Sequence, residues 1–358
     1  MCCTLWAGAA DFGVELEKFP RWDNTFNLKT WSGYKDNVLL SHQRAADSPF
    51  VAGGLDVLLW RLPENGWECL LLGSGEYIRY VPGGRVDKEI SALAQAQVKK
   101  DFGNEWKAGL SLEYIYFDQV FDDTLFERAP SAVQVQGNIF TLRPLLRHEW
   151  APGFFTEGEV LLSRQDFRQI VDDEWQAGPK WTFGRNFGHN SEVSLAYQFV
   201  DRQFDTRPAR DPGGEAIVGK SLEFFQQEFF LTWRQNWDNA RRWRSITRLS
   251  LQRNDDNAGG YYDYYRARVS QQLRYVAKNW SVRAEAKFTR YQYAIQPVDP
   301  ENLAHRRKTV FQANIRGERK LSKSVKLFAE YEHERAVSNL TVEAYRANTI
   351  SGGIDWEF

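Results

Sequence analysis

A chain of 358 residues has room for two average soluble domains or one large all-β barrel. Its 46 Lys and Arg nearly cancel its 47 Asp and Glu, which excludes nucleic acid as the main partner, because a polyanion calls for a basic surplus. Charged residues make up 26%, mean hydropathy is −0.56, and no apolar run approaches the ~18 to 20 residues of a spanning helix; membrane helices are excluded, spanning strands are not. Cys2, Cys3 and Cys69 make no disulfide framework and no Cys-based metal site. His42, His148, His189, His305 and His333 are scattered without HxxxH or HExxH spacing, so neither a metal nor a cofactor is expected.

The chain begins with CTLWAGAA (3–10), a short apolar stretch ending in small residues. It reads as the tail of a secretory signal peptide cut near Ala9 or Ala10, so residues 1–10 are expected to be a leader remnant and 11–25 a lead-in. From residue 26 onward one pattern recurs: apolar and polar residues alternate, the period of a two-faced strand. About sixteen such segments are predicted. They lie at 26–37, 50–61, 67–80, 88–101, 105–118, 131–147, 154–165 and 174–185 in the first half. The second half has 191–203, 221–235, 241–253, 262–276, 280–293, 308–320, 324–335 and 345–358. In WSVRAEAKF (280–288), Trp280, Val282, Ala284, Ala286 and Phe288 oppose Ser281, Arg283, Glu285 and Lys287. The Ala-rich ISALAQAQVKK (90–100) fits a helix or a strand, and its context decides for a strand.

The connections alternate in kind. Short ones fall at 63–66, 103–104, 148–153, 186–190, 235–239, 277–279 and 322–323. Longer, more polar ones fall at 38–49, 81–87, 119–130, 166–173, 204–220, 254–261, 294–307 and 336–344. Trp and Phe gather near the short turns (Trp60, Trp67, Trp106, Trp243, Trp280), and Tyr is commoner near the long loops (Tyr34, Tyr77, Tyr80, Tyr114, Tyr291, Tyr293, Tyr345). Rings sort this way at the two water–lipid boundaries of a membrane. The predicted fold is therefore all-β: a transmembrane antiparallel up-and-down barrel of about sixteen strands spanning 26–358, with short turns at one end and longer loops at the other. An even strand count puts both termini at the short-turn end.

The last strand is TISGGIDWEF, with Ile350, Ile354, Trp356 and Phe358 in phase on one face and Phe358 as its final residue. On these residues the chain resembles the Gram-negative outer-membrane β-barrels, in which a C-terminal strand of this kind is the segment that the barrel insertion machinery recognises. The resemblance implies a place in the bacterial outer membrane, with outer-membrane lipids, lipopolysaccharide and that machinery as partners, and short turns on the periplasmic side. The stretch SGYKDNV (32–38) is similar to the Gly-Tyr-Asp-x-Asn-Val segment in the first strand of barrels of the surface lipoprotein assembly modifier type, from which Lys35 departs.

If the apolar face meets lipid, the polar face lines the interior. Arg244, Arg248, Arg266, Arg268, Arg274, Arg283 and Lys287 come from three adjacent strands. Arg316, Glu318, Glu330 and Glu332 come from the next two. These residues are the candidate lining of a water-filled pore with a transverse field, passing polar or charged solutes in the manner of a porin. The other reading of the same residues is an interior packed with ion pairs and closed. Asp118, Asp122, Asp123 and Glu127, in and beside the third long connection, are a candidate acidic constriction if that loop folds inward, as in porins of sixteen strands. NDDN (254–257) and DDE (172–174) read as turn chemistry or as cation ligands.

Three other functions compete. The same barrel could serve as a partner for export of a polysaccharide or surface lipoprotein. A hydrolase would draw on His333, Ser338 and Glu343. A soluble carbohydrate-binding β protein would use the many aromatics, but would not sort them by strand end. The chain is expected to be no enzyme, and its subunit number is not legible in it.

Overall fold

The computed structural model describes residues 22–358 except 43–44, 82–85, 104, 123–131, 151, 169–172, 189–190 and 299–302. The strands are β1 (Trp22–Lys35), β2 (Ser48–Glu64), β3 (Trp67–Tyr80), β4 (Lys88–Asp101), β5 (Trp106–Asp122), β6 (Ala132–Glu149), β7 (Phe154–Phe167) and β8 (Glu174–Phe187). They continue as β9 (Ser191–Arg210), β10 (Ala216–Asn236), β11 (Trp243–Asp256), β12 (Tyr264–Val276), β13 (Trp280–Pro297), β14 (His305–Lys320), β15 (Val325–Ser338) and β16 (Tyr345–Glu357). Each pairs antiparallel with its neighbours in sequence, and β16 closes on β1. The fold is a closed up-and-down barrel of sixteen strands; the one helical element among the described residues is a 3-10 turn at Thr341–Glu343. The Ala-rich segment is a strand, β4.

Alternation decides which face goes where. Leu55, Val98, Leu110, Leu146, Leu195, Leu231, Leu251, Val269, Ile315 and Ile350 are all exposed on the outside of the wall. A water-facing surface rarely carries so continuous an apolar band, and this one has the form of a lipid-facing exterior. Exposed Trp67, Trp106, Trp181, Trp233, Trp243 and Trp280 stand toward its short-turn end, with Tyr34, Tyr77, Tyr114 and Tyr331 toward the other. The girdles expected from the sequence are present, with individual corrections. Trp60 projects inward, where its Nε1–H donates to Glu68 Oε1 at 3.0 Å. Tyr80, Tyr291, Tyr293 and Tyr345 are buried on the inner face.

The short turns obey local chemistry. Asn65 and Gly66 both have positive φ (52° and 77°) between the paired Glu64 and Trp67, the two-residue turn that suits the twist of a hairpin. At Gly66 a Cβ would lie 2.3 Å from the Asp101 carbonyl oxygen, so the neighbouring strand requires glycine as well. The closing seam runs from the Asn27–Glu357 pair to the Lys35–Thr349 pair. Gly353 lets Trp31 lie across it: a Cβ there would meet Thr30 O at 2.2 Å. In lipid each unpaired backbone group costs several kcal/mol, so this seam is what makes the barrel tenable.

At the long-loop end the strands run further than the alternation indicated. β5 includes Asp118 and reaches Asp122; at the opposite, short-turn end β1 begins at Trp22, inside the expected lead-in. The expected loop 204–220 is largely strand: β9 continues to Arg210 and β10 starts at Ala216. This hairpin is held by packing, with Phe204, Leu222, Phe224, Tyr261 and Tyr262 forming one buried cluster. Arg210 Nε donates to the Tyr262 hydroxyl at 2.9 Å. The 257–263 connection is closed by Asp256, whose carboxylate accepts the N–H groups of Ala258, Gly260 and Tyr262 at 2.7 to 2.8 Å. Across the mouth, Val38 from the first loop is buried with Phe50, Tyr80, Val86 and Val120. The leader expected at 1–10 lies outside the described residues, as does most of the lead-in at 11–25.

Candidate functional site

The interior is charged on every side, but not evenly. On β1 to β8 opposite charges neutralise each other locally. Lys29 meets Asp56, Arg143 meets Glu113 at 3.4 Å, Lys180 meets Glu159 at 3.9 Å and Lys107 meets Glu149 at 3.0 Å. Further round, Arg202 binds the fully buried Glu174 at 2.5 Å and Arg234 faces Glu192 at 3.3 Å.

The arc from β11 to β14 breaks this rule. Arg244 is directly paired with Arg274, Arg274 with Arg283, and Arg283 with Arg316. Four guanidiniums thus stand in one row across four neighbouring strands. Like charges directly opposite in a sheet are destabilising. At ~5 Å and an effective dielectric near 20, each neighbouring pair repels by roughly 3 kcal/mol, less where the side chains splay into water. Among the described residues, Arg244, Arg274 and Arg283 have no carboxylate within 4.0 Å, nor has Arg268 or Lys287 on the same arc. The Nε–H groups of Arg268 and Arg283 are buried without a hydrogen-bond partner. Arg266 is the exception, held by Glu228 at 2.9 Å.

The row ends on acid. Arg316 lies between Glu318 (2.8 Å) and Glu330 (3.1 Å). Glu330 and Glu332 both accept from the amide nitrogen of Asn314, at 2.6 and 3.1 Å, and Glu334 accepts from Gln312 at 3.1 Å. A positive arc on β11–β13 therefore adjoins a negative strip on β15, and a transverse field crosses the interior.

Every residue expected on the inner wall is on the inward-facing parity of its strand: Arg244 and Arg248 on β11, Arg266, Arg268 and Arg274 on β12, Arg283 and Lys287 on β13, Arg316 and Glu318 on β14, Glu330 and Glu332 on β15. Lys29, Asp56, Arg143 and Arg234 share that surface and were not singled out, although the same alternation marks them. The acidic residues of the third connection are not brought together. Asp118 is buried near the end of β5, with Gln134 Nε2 at 2.6 Å and Lys88 at 3.9 Å. Asp122 ends β5, and Asp123 and Glu127 lie outside the described residues. Ile350, Ile354 and Trp356 share the outer face of β16, and the Phe358 N–H donates to the Phe26 carbonyl at 2.9 Å.

The hydrolase constellation does not assemble. His333 and Ser338 stand on opposite faces of β15. His333 Nδ1 meets Asn348 Oδ1 at 2.8 Å, and Ser338 Oγ donates to Glu343 at 2.8 Å and to no histidine. Glu343 itself is buried against Arg306.

No protein-family model matches the chain, and neither does any curated protein sequence. Solved structures similar in architecture include OmpT, an outer membrane protein of Vibrio cholerae, at 11% identity and a TM-score of 0.45, covering 96% of this chain and 100% of that one. OpdK of Pseudomonas aeruginosa, solved with vanillate, is similar at 8% identity and 0.48, covering 94% and 99%. CdiB of Acinetobacter baumannii is similar at 10% identity and 0.49, covering 95% of this chain and 60% of its own. These likenesses say nothing of a cargo; the closure and register of the barrel are read from its own strand pairing.

Proposed function

We propose that the chain is a channel of the bacterial outer membrane that passes polar solutes through its charged lumen and favours anionic ones. The observation that carries this reading is the Arg244–Arg274–Arg283–Arg316 row on the inner wall. Unpaired guanidiniums in register are costly in a closed, ion-paired interior. They are tolerable where water reaches them, and they are useful where an anion moves past, handed from one fork of donors to the next. The neighbouring Glu330 and Glu332 orient a dipolar solute rather than neutralise the row, since only Arg316 of the four is paired with them or with Glu318. A barrel of sixteen strands is of the size that leaves an aqueous channel.

The test is single-channel conductance of the refolded, detergent-purified chain in a planar bilayer, with reversal potential under a salt gradient. A stable open step with anion preference is expected. Silence from a correctly folded, heat-modifiable barrel would sink the channel reading. It would favour a gated role in export of a polymer or surface lipoprotein, the reading to which the apolar packing of Val38, Phe50 and Tyr80 at the mouth lends support.

A further inference from the structure

The outside of the wall carries a second basic feature, separate from the lumen. Arg290, Arg307, Arg335 and Arg346 sit on the outward-facing parity of β13, β14, β15 and β16, and all four are exposed. Arg335 and Arg346 are directly paired across the sheet. Arg335 is also paired with Phe311, and Phe311 with Phe288, the exposed rings at the edge of the apolar band. Arg290 lies beyond Phe288, and Arg307 beyond Phe311, toward the long-loop end. None of the four has a carboxylate within ion-pair distance among the described residues.

This sector is unlike the rest of the rim. On β7 to β9 the outward arginine at the same end, Arg164, is surrounded by acid: Asp166 at 2.7 Å, Asp205 at 2.8 Å and Asp173 at 3.4 Å. On β3 and β4, Arg79 is paired with Asp87 at 2.9 Å and Lys88 with Asp118 at 3.9 Å. On β13–β16, by contrast, the four rim arginines have no such ion pair among the described residues, and the acid that reaches the sector, Asp36, is bound to Asn348. A shallow outward groove adjoins the strip on β10–β13. Phe229, Leu251, Tyr265 and Ala267 make most of its surface apolar, and Gln227, Arg253, Arg290 and Gln292 line it as well. Beside Arg335 stand further hydrogen-bonding groups, Tyr331 and His333, both held by Asn348 Oδ1 at 2.8 to 2.9 Å. An apolar floor at lipid level with guanidiniums above it suits an amphiphile whose acyl chains lie below and whose phosphates lie above.

We propose that the outer face of β13–β16 is a binding site for a phosphorylated glycolipid of the outer leaflet, with its phosphates on Arg290, Arg307, Arg335 and Arg346. The inference rests on the outer-membrane reading given above, which sets the long-loop end in the leaflet that holds such lipids. The Arg335–Arg346 pair is then the centre of the site. Two like charges in register repel until a multivalent anion spans them, so the bound lipid relieves a cost that the free wall carries. A single-charged phospholipid headgroup spans them poorly.

Native mass spectrometry of the full folded chain in detergent micelles tests this, with bisphosphorylated lipid A, monophosphorylated lipid A or phosphatidylglycerol as the titrated probe. Bisphosphorylated lipid A is expected to be held at least about tenfold more tightly than phosphatidylglycerol, and Arg335→Gln with Arg346→Gln to lose about that factor. Arg335→Lys with Arg346→Lys should keep most of the affinity. Arg319→Gln, an exposed arginine at the opposite end of β14, should leave it unchanged. Equal retention of phosphatidylglycerol, or equal lipid A binding by the wild type and the double Gln variant, would overturn the site. Removing a repulsive pair is not expected to prevent folding, and heat modifiability verifies that it has not. The double Gln variant should also conduct as the wild type does. A chain that conducts but holds no lipid A refutes this site alone, and one that holds lipid A but never conducts refutes the channel alone.

Discussion

Arg274 and Arg283 are the central pair of the inner row, each with an arginine on either side. Nothing within 4.0 Å compensates them among the described residues, so changing them removes charge without stranding a partner. Arg274→Gln with Arg283→Gln is expected to leave the barrel at least as stable, because all three repulsive contacts of the row disappear. Its reversal potential should move toward cations, as Glu330 and Glu332 come to dominate the field. An unchanged reversal potential in an open channel would mean that selectivity is set elsewhere. At the chain end, Phe358 is exposed and makes one backbone bond to Phe26. Phe358→Ala should therefore cost little in the folded barrel but slow its insertion. The measurements are the yield of folded protein in outer-membrane fractions against refolding yield in detergent: a loss in both would assign Phe358 to stability rather than to recognition.

Asp263 is a residue of the 257–263 connection whose carboxyl is pushed up, chiefly by burial, against the bond it accepts from the Asp256 N–H; the nearby Asp256 and Asp255 charges push it further. A carboxyl with a raised folded pKa holds its proton better folded than unfolded, so its stabilising contribution is full below the unfolded pKa, near 3.9, and is lost as pH rises through the higher folded value. The connection should open more readily at neutral pH than at pH ~4. Asp263→Asn keeps an acceptor for Asp256 and should flatten that dependence. Amide exchange over 257–263, corrected for intrinsic rates, measures it; a wild-type profile already flat would contradict the assignment.

Among the elements, the short turns were the most legible. Asn-Gly after Pro-Glu already marks a two-residue turn, because both residues tolerate positive φ. The structure adds the reason that Gly66 admits no substitute, its approach to the Asp101 carbonyl. Gly66→Ala is expected to destabilise the barrel by about 1 to 3 kcal/mol from the left-handed backbone together with the clash. Urea unfolding in lipid vesicles reads this as a lower midpoint with an unchanged slope. The long connections were less legible. Residues 204–220 contain Pro208, Pro212 and three glycines and read as loop, yet β9 and β10 carry on through most of that span. The strands persist because Phe204, Leu222 and Phe224 bury themselves against Tyr261 and Tyr262 from another connection. That partner is more than thirty residues away along the chain, and no local signal announces it.

For the molecule as a whole, alternation is enough to divide outside from inside, since a strand offers only two faces and lipid accepts only one of them. The number of strands, the closed sheet and the inward placement of Arg244, Arg248, Arg266, Arg268, Arg274, Arg283 and Lys287 were all readable from the sequence by this argument. So was the girdle as a belt, though not ring by ring: Trp60 lies at the right height on the wrong face, because its parity and not its proximity to a turn decides its direction. What the chain could not state was registry. Whether Arg274 stands opposite Arg283 or one step away depends on how β12 and β13 slide, and that is set by every turn and packed pair around the ring. Sequence alone therefore determined the two-faced strands, their alternating connections and the charge of the lining. Only the closed tertiary structure decided that three unanswered guanidiniums fall in one row inside, that four more gather on one sector outside, and that the mouth is packed, because each of these is a relation between strands and not a property of any one of them.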